Sequence, residues 1–146
     1  MYDEELPFGI IVGKMMHDVF KVLKTRTEAG LKAKLTIHHL GLLMAISKNE
    51  HDVIQQDMAI KMGKDKSAIL RLIDTLEEKK LVSRVPDLED RRKNKLVITE
   101  KGNEVIKEFL IIDREVFGDL CSGLTKDELK AFFKVIEKIK DNAQKL

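Results

Sequence analysis

The sequence predicts a mainly α-helical chain carrying one small β-hairpin, on three observations. Apolar residues recur at three- and four-residue steps through most of the 146 residues, which is the helical period. β-branched alternation is confined to two short runs, LVSRVP at 81–86 and KLVITE at 95–100. Between them, four cations, Arg91, Arg92, Lys93 and Lys95, fall within five positions.

A chain of this length fits one ordinary domain and can bury a core without disulfide staples. Hydrophobic residues make up 43% and charged residues 36%, so apolar content suffices for folding and the helices have solvated, ionic faces. A net charge of +2 is too small to attract a polyanion by bulk charge, and any nucleic-acid role must rest on local clustering. From Lys61 to Lys101 there are 12 Lys and Arg against 8 Asp and Glu, a local +4, which leaves −2 for the remainder.

The first helix is expected from Pro7 to about Lys32. Phe8, Ile11, Val12, Met15, Val19, Val22 and Leu23 form its stripe, and Pro7 suits its first turn. Thr36 can cap a second, more buried helix over LGLLMAI, closed by SKNEHD. A third runs from about Gln55 to Met62 and is broken by Gly63. Asp65 then caps a fourth, Lys66 to about Lys79, whose buried face is Ile69, Leu72, Ile73 and Leu76. After the hairpin, whose first strand ends at Pro86 as an edge strand allows, Thr99 can cap a helix from about Glu100 to Leu120. Gly118 and Gly123 punctuate its end, and Thr125 with Glu128 forms a capping box for a last helix burying Leu129, Phe132, Phe133, Ile136 and Ile139. No internal repeat or low-complexity segment interrupts this order.

In QQDMAIKMGKDKSAILRLIDTL, residues 55–76, Ala59 is small where two helices must cross. Gly63 follows four residues later where the turn needs a positive φ, and Ile69 and Leu72 anchor the second helix. That is helix-turn-helix spacing, and a basic hairpin directly after it gives the winged-helix order. Residues 36–100 then form a winged helix-turn-helix part within a single domain, 1–146, and 7–33 and 101–146 are long flanking helices.

The chain resembles the multiple antibiotic resistance regulator (MarR) family of transcription factors. The resemblance rests on LTIHHLGLLMAI, on MAIKMGKDKSAILRLIDTLEEKKLVSR, and on EDRRKNKLVITEKG, where the Asp-x-Arg signature of the wing falls on Asp90 and Arg92 and is followed by Leu96, Thr99 and Gly102. Three positions depart from the family's pattern: Lys80 stands where Gly is common, Leu70 where a polar residue is frequent, and Lys64 where the turn is usually apolar. The resemblance implies a homodimer built by the first and last helices. It implies a pseudopalindromic operator, usually repression, and release by a small ligand or an oxidant.

A recognition helix sets its N-terminal residues against base edges. Lys66, Ser67, Leu70 and Arg71 lie in its first two turns; Arg71 can take guanine in a bidentate bond and Leu70 can meet a thymine methyl. A solvated helix face is the plainer alternative. At the hairpin tip, Arg92 is the choice for groove insertion, with Asp90 orienting either Arg92 or Arg71, and Arg91, Lys93 and Lys95 holding the backbone. A solubilising edge loop would explain charge there without explaining its sign. Pairing of the end helices would set two recognition helices about 34 Å apart; packing on the core of a monomer is the alternative.

A small aromatic or phenolic effector is expected near Met15, Val19 and Leu42, between the flanking helices and the DNA-binding part. No cofactor is expected, nor an enzyme, because no nucleophile, base and orienting group can be named from spacing. His17, His38, His39 and His51 lack metal-site spacing. A lone Cys121 fits a reducing compartment and is more often an inert small hydrophobe than a sensor. The longest stretch without Asp, Glu, Lys or Arg, residues 35–47, is too short to cross a bilayer. Asp3, Glu4 and Glu5 stand where a signal peptide would be cationic, so a cytoplasmic location is expected. The competing reading is a winged-helix protein-interaction module that never touches DNA.

Overall fold

A computed structural model describes residues 6–48 and 53–146, and of Lys61 only the backbone. Asp3, Glu4, Glu5 and His51 lie outside the described residues. The element order is α1 (Phe8–Gly30), α2 (Ile37–Lys48), α3 (Gln55–Met62), α4 (Lys66–Glu78), β1 (Val82–Pro86), β2 (Asn94–Ile98), α5 (Glu100–Leu120) and α6 (Lys126–Ala143). The chain is mainly α with an antiparallel hairpin, in the order expected of a winged helix-turn-helix.

Local signals set most boundaries. Thr36 precedes α2, with its hydroxyl 3.4 Å from the His39 N–H and its own N–H donating to His39 Nδ1 at 3.1 Å. That bond requires an unprotonated Nδ1, in keeping with a His39 pKa lowered by burial and by nearby Lys79 and His38. Gly63 closes α3 at φ 59°, and the Asp65 carboxylate caps α4 by accepting from the Ala68 N–H at 3.0 Å. Thr99 caps α5 through the Gly102 N–H, and Thr125 and Glu128 complete the capping box of α6.

The core sits in the winged helix, where Leu40, Leu42, Leu43 and Ile46 of α2 pack with Met58 of α3 and Ile69, Ile73 and Leu76 of α4. Leu81, Val82 and Leu96 close it from the hairpin. The hairpin pairs Val82 with Ile98 and Pro86 with Asn94. Its free edge is partly covered in a way the sequence did not suggest: Val53 accepts the Leu96 N–H at 2.8 Å, and Ile54 bridges Lys95. α1 lies along α5, joined by an Arg26–Asp119 ion pair at 2.6 Å.

α5 has the expected bounds, with Gly118 in its last turn. One expectation changes. α6 has no buried residue: Phe133 is 49% exposed, Phe132, Ile136 and Ile139 are similarly open, and Leu129 is half-buried. The Phe117–Phe133 ring contact joins that stripe to α5, and among the described residues it leaves the rest of the stripe largely open.

The junction after α4 is held by an unusual residue. The Lys80 N–H bonds Glu77 O and the Leu81 N–H bonds Leu76 O, both at 2.9 Å, a Schellman motif whose left-handed position holds Lys80 at φ 59°. Glycine avoids the Cβ clash of that region. Lys80→Gly should therefore stabilise the chain by about 0.5–1 kcal/mol and raise Tm by about 2 °C. A lowered Tm in thermal denaturation would show that the Lys80 side chain contributes more than its backbone costs.

Candidate nucleic-acid interface

The turn between α3 and α4 brings the first residues of α4 to the surface. Lys66, Ser67 and Arg71 are exposed, and Leu70, half-buried, lies between that face and the core. Ser67 and Arg71 are one helical turn apart on the same side. This is the arrangement expected of a recognition helix, with polar groups at its free end and Ile69, Ile73 and Leu76 holding the other face.

The wing tip is braced from within by a residue that sequence reasoning passed over. Asp87 is only 7% exposed. Its Oδ1 accepts the Glu89 and Asp90 N–H groups at 2.8 and 2.9 Å, and its Oδ2 meets Lys95 Nζ at 3.2 Å. The Asp87 N–H in turn donates to Lys93 O, and the Lys93 N–H to Asp90 O. The Asp90 and then the Glu89 N–H groups hold the Asp87 carboxyl below the ordinary range, helped by Lys95 against a smaller effect of burial. An aspartate followed by two turn residues was the available sign; its inward direction depends on the hairpin's twist and could not be read from the sequence.

Lys95, expected on a phosphate, is turned to Asp87 because that buried carboxylate needs a counter-charge; the Lys95 side chain is one-third exposed. Arg91, Arg92 and Lys93 are exposed. Of the two partners expected for Asp90, the structure brings Arg92. The Arg92 N–H and Nε both donate to Asp90 Oδ1 at 3.1 Å, while the Arg92 side chain stays 91% exposed. The Asp90 carboxyl is held below its ordinary range by the Arg92 side chain and then by the Arg92 N–H.

Wing and recognition helix are tied together by a second residue the sequence reading missed. Arg84 of β1 donates from Nε to Gln55 Oε1 at 2.6 Å, from one terminal nitrogen to Glu77 at 3.0 Å and from the other to Asp74 at 2.5 Å. Its N–H also reaches Glu77 Oε2 at 3.2 Å. The sign in the sequence was an Arg at an inward strand position after an acidic pair three residues apart on the preceding helix.

A groove of about 580 Å³ lies between α1 and the start of α2, lined by Phe20, Lys24, Thr27, Leu35, Thr36, His38, Gly41 and Met62 among others. The Thr27 hydroxyl there is buried and, among the described residues, has no hydrogen-bond partner. Met15, Val19 and Leu42 do not line it. Leu42 is 0% exposed because the next position round the helix from Gly41 faces the core, and Met15 and Val19 precede the Phe20 turn of α1. Among the described residues no three His, Cys, Asp or Glu side chains gather as a metal site, and no helix is long and apolar enough to cross a membrane. Cys121, half-exposed, stands at the C-cap of α5.

Residues 33–93 match the sequence model of the MarR family. The whole chain is similar in structure to MarR itself, at a TM-score of 0.84 and 24% identity over 99% of this chain and 96% of that one. It is similar to MepR of S. aureus in a DNA complex, with a TM-score of 0.77 and 22% identity over 97% and 99% of the two chains. It is also similar to CouR of Rhodococcus jostii RHA1 bound to p-coumaroyl-CoA, with a TM-score of 0.77 and 19% identity over 95% of each.

Arg84 serves three acceptors on two helices, and its loss leaves Asp74 and Glu77 facing each other. Arg84→Ala should cost about 1–2 kcal/mol in urea denaturation, allowing for the partners' exposure. Arg84→Lys should recover only part of this, because an ammonium cannot reproduce the fork. Unchanged stability in Arg84→Ala would mean that solvent already screens the cluster.

Proposed function

Because this chain is a winged-helix protein of the MarR family, whose members regulate transcription, we propose that it is a repressor that binds a pseudopalindromic operator as a homodimer and releases it when a small effector binds. The observation that carries this reading is the pairing of an exposed recognition-helix end with a braced cationic wing tip beside it. Ser67, Leu70 and Arg71 read base edges, with Lys66 on phosphate. Arg92 enters the minor groove, held by Asp90, while Arg91 and Lys93 contact the backbone. Lys95 acts through Asp87 rather than on phosphate.

Dimerisation is supported by the uncovered stripe of α6. Phe132, Phe133, Ile136 and Ile139 are open in one chain, and each such side chain gains about 1.5–3 kcal/mol on full burial. A second copy of α6 and the ends of α1 and α5 would cover them and set the recognition helices about one DNA turn apart. Residues 7–33 and 101–146 thus form the dimerisation part and 36–100 the DNA-binding part.

The effector is a small aromatic or phenolic compound, and the groove between α1 and α2 is its site. The groove is mostly apolar, with Lys24, Glu28, Thr36, His38 and the Thr27 hydroxyl as its polar groups. It abuts the first helix of the DNA-binding part, so a ligand there bears on both halves of the molecule. CouR was solved with p-coumaroyl-CoA, which makes a phenolic acid series and its thioesters the first panel for a thermal-shift screen.

Two measurements test the proposal. Genomic fragments selected with the purified protein provide a duplex for anisotropy titration, where log Kd should change linearly with log salt. Negligible binding at low salt would favour the interaction module instead. On that duplex Arg92→Ala should weaken binding and lower the salt slope by about one. Asp90→Ala should also weaken it, despite the gain in net positive charge, by freeing Arg92; tighter binding would reduce the wing to an electrostatic patch.

Sedimentation at micromolar concentration should give a dimer for the full chain. Removal of residues 125–146 should give a monomer or a poorly soluble chain with lost operator affinity. A full-length monomer would overturn the assembly.

A further inference from the structure

Leu88 stands at the outermost turn of the wing and is 96% exposed. A leucine so placed would ordinarily fold back over its own hairpin. Here it cannot, because the neighbouring Asp87 is buried and its carboxylate holds the N–H groups of Glu89 and Asp90, while Asp87 and Lys93 close the loop through backbone bonds. The backbone on both sides of Leu88 is thus fixed with the side chain outward. Val85 and Val97, on the outer face of the same hairpin, are also more than one-third exposed. The two valines share that face with Ser83 and Lys95, while Leu88 stands beyond the paired residues on the turn that carries Arg91, Arg92 and Lys93.

We propose that Leu88 is an apolar wedge that packs against the sugar walls of the minor groove entered by the wing, and that it supplies affinity and a preference for groove width that the flanking cations do not. The inference rests on the DNA-binding reading above. Its occupant is chosen by charge complementarity: Arg91, Arg92 and Lys93 are exposed on this turn against one exposed carboxylate, Glu89, with Asp90 paired to Arg92, and the minor groove is the place on duplex DNA where a cationic tip meets apolar sugar surface. A phosphate contact weakens as salt rises. Apolar contact does not carry that dependence, since no counterion is released when a leucine meets a deoxyribose.

The test uses the full-length protein and the selected duplex, over a salt series, with Leu88→Ala, Leu88→Met and Arg92→Ala. Leu88 touches no core, and melting curves of the variants should superimpose on the wild type. Leu88→Ala should weaken binding about tenfold at every salt concentration with an unchanged slope. Leu88→Met should stay within about threefold of wild type, since methionine retains apolar bulk. Replacing A·T by G·C pairs under the wing, which widens the groove, should cost the wild type more than Leu88→Ala. Wild-type affinity in Leu88→Ala, or a loss that vanishes at high salt, would overturn the wedge while leaving DNA binding intact. Absence of any duplex binding by the wild type at low salt would overturn both.

Discussion

The rest of the structure depends on a knot of backbone bonds where the recognition helix ends. Lys79, Lys80 and Leu81 each offer a carbonyl that a single later segment takes. The Thr99 N–H bonds Leu81 O at 3.0 Å, the Thr99 hydroxyl bonds Lys80 O at 2.7 Å, and Lys101 Nζ reaches Lys79 O at 3.3 Å. Gly102 then lies so near that a Cβ built on it would be 2.3 Å from Leu81 O and 2.8 Å from Ile98 Cγ1. Thr99, Lys101 and Gly102 therefore tie down the three residues that follow α4, begin α5 and close the open end of the hairpin in one place. Helix, wing and long helix leave this point in fixed directions.

From that anchor the wing extends as a lever, and it is stiffened twice along its length. Arg84 clasps it to α4 and to Gln55 of α3 near the base, and Asp87 organises the turn at the far end. Each brace places a charged group where it is partly withdrawn from water, which is favourable only because several donors or acceptors meet it there. The cost in solvation is offset by order: the tip residues present side chains rather than a wandering loop. Cations gathered before β2 are thus divided. Lys95 is spent inside the wing, and Arg91, Arg92 and Lys93 remain outside.

The flanking helices follow a different physical logic. α1 and α5 share contacts along their length, with Gly30 letting Ile112 come within 3.1 Å of where its Cβ would be. α6 has no such partner. Among the described residues its apolar stripe stays largely in water, with Phe133 stacked on Phe117 and edge-on to Phe132. The groove beside α1 and α2 is likewise bounded on only some sides by this chain. The winged-helix residues share one core with Leu31, Leu35, Val105 and Ile106, whereas the apolar stripe of α6 stays open among the described residues.

Helix limits were legible because caps are local chemistry. Thr99 and the Thr125–Glu128 box mark α5 and α6 at the expected residues, and Asp65 and Gly63 set the turn of the helix-turn-helix; at Lys80 the sequence showed a non-glycine where Gly is common, and only the structure shows it left-handed. The apolar face of α4 was legible for the same reason, since 3.6-residue periodicity fixes which side of the helix holds Ile69, Ile73 and Leu76. Less could be read of the groove: Leu42 was taken for a lining residue when Gly41 lines it, because composition does not tell which neighbour on a buried helix meets the gap. Nor could it show that Lys95 would turn inward, that Arg84 would join three elements, or that α6 would bury nothing in its own chain. By itself, then, the sequence determined element order, caps, the core faces of α2 and α4 and the sign of charge on the wing, all set by residues within a turn or two of one another. Tertiary structure alone decided which charges are spent within the fold and which surfaces stay open, because those depend on groups far apart in the chain being brought within a few ångströms.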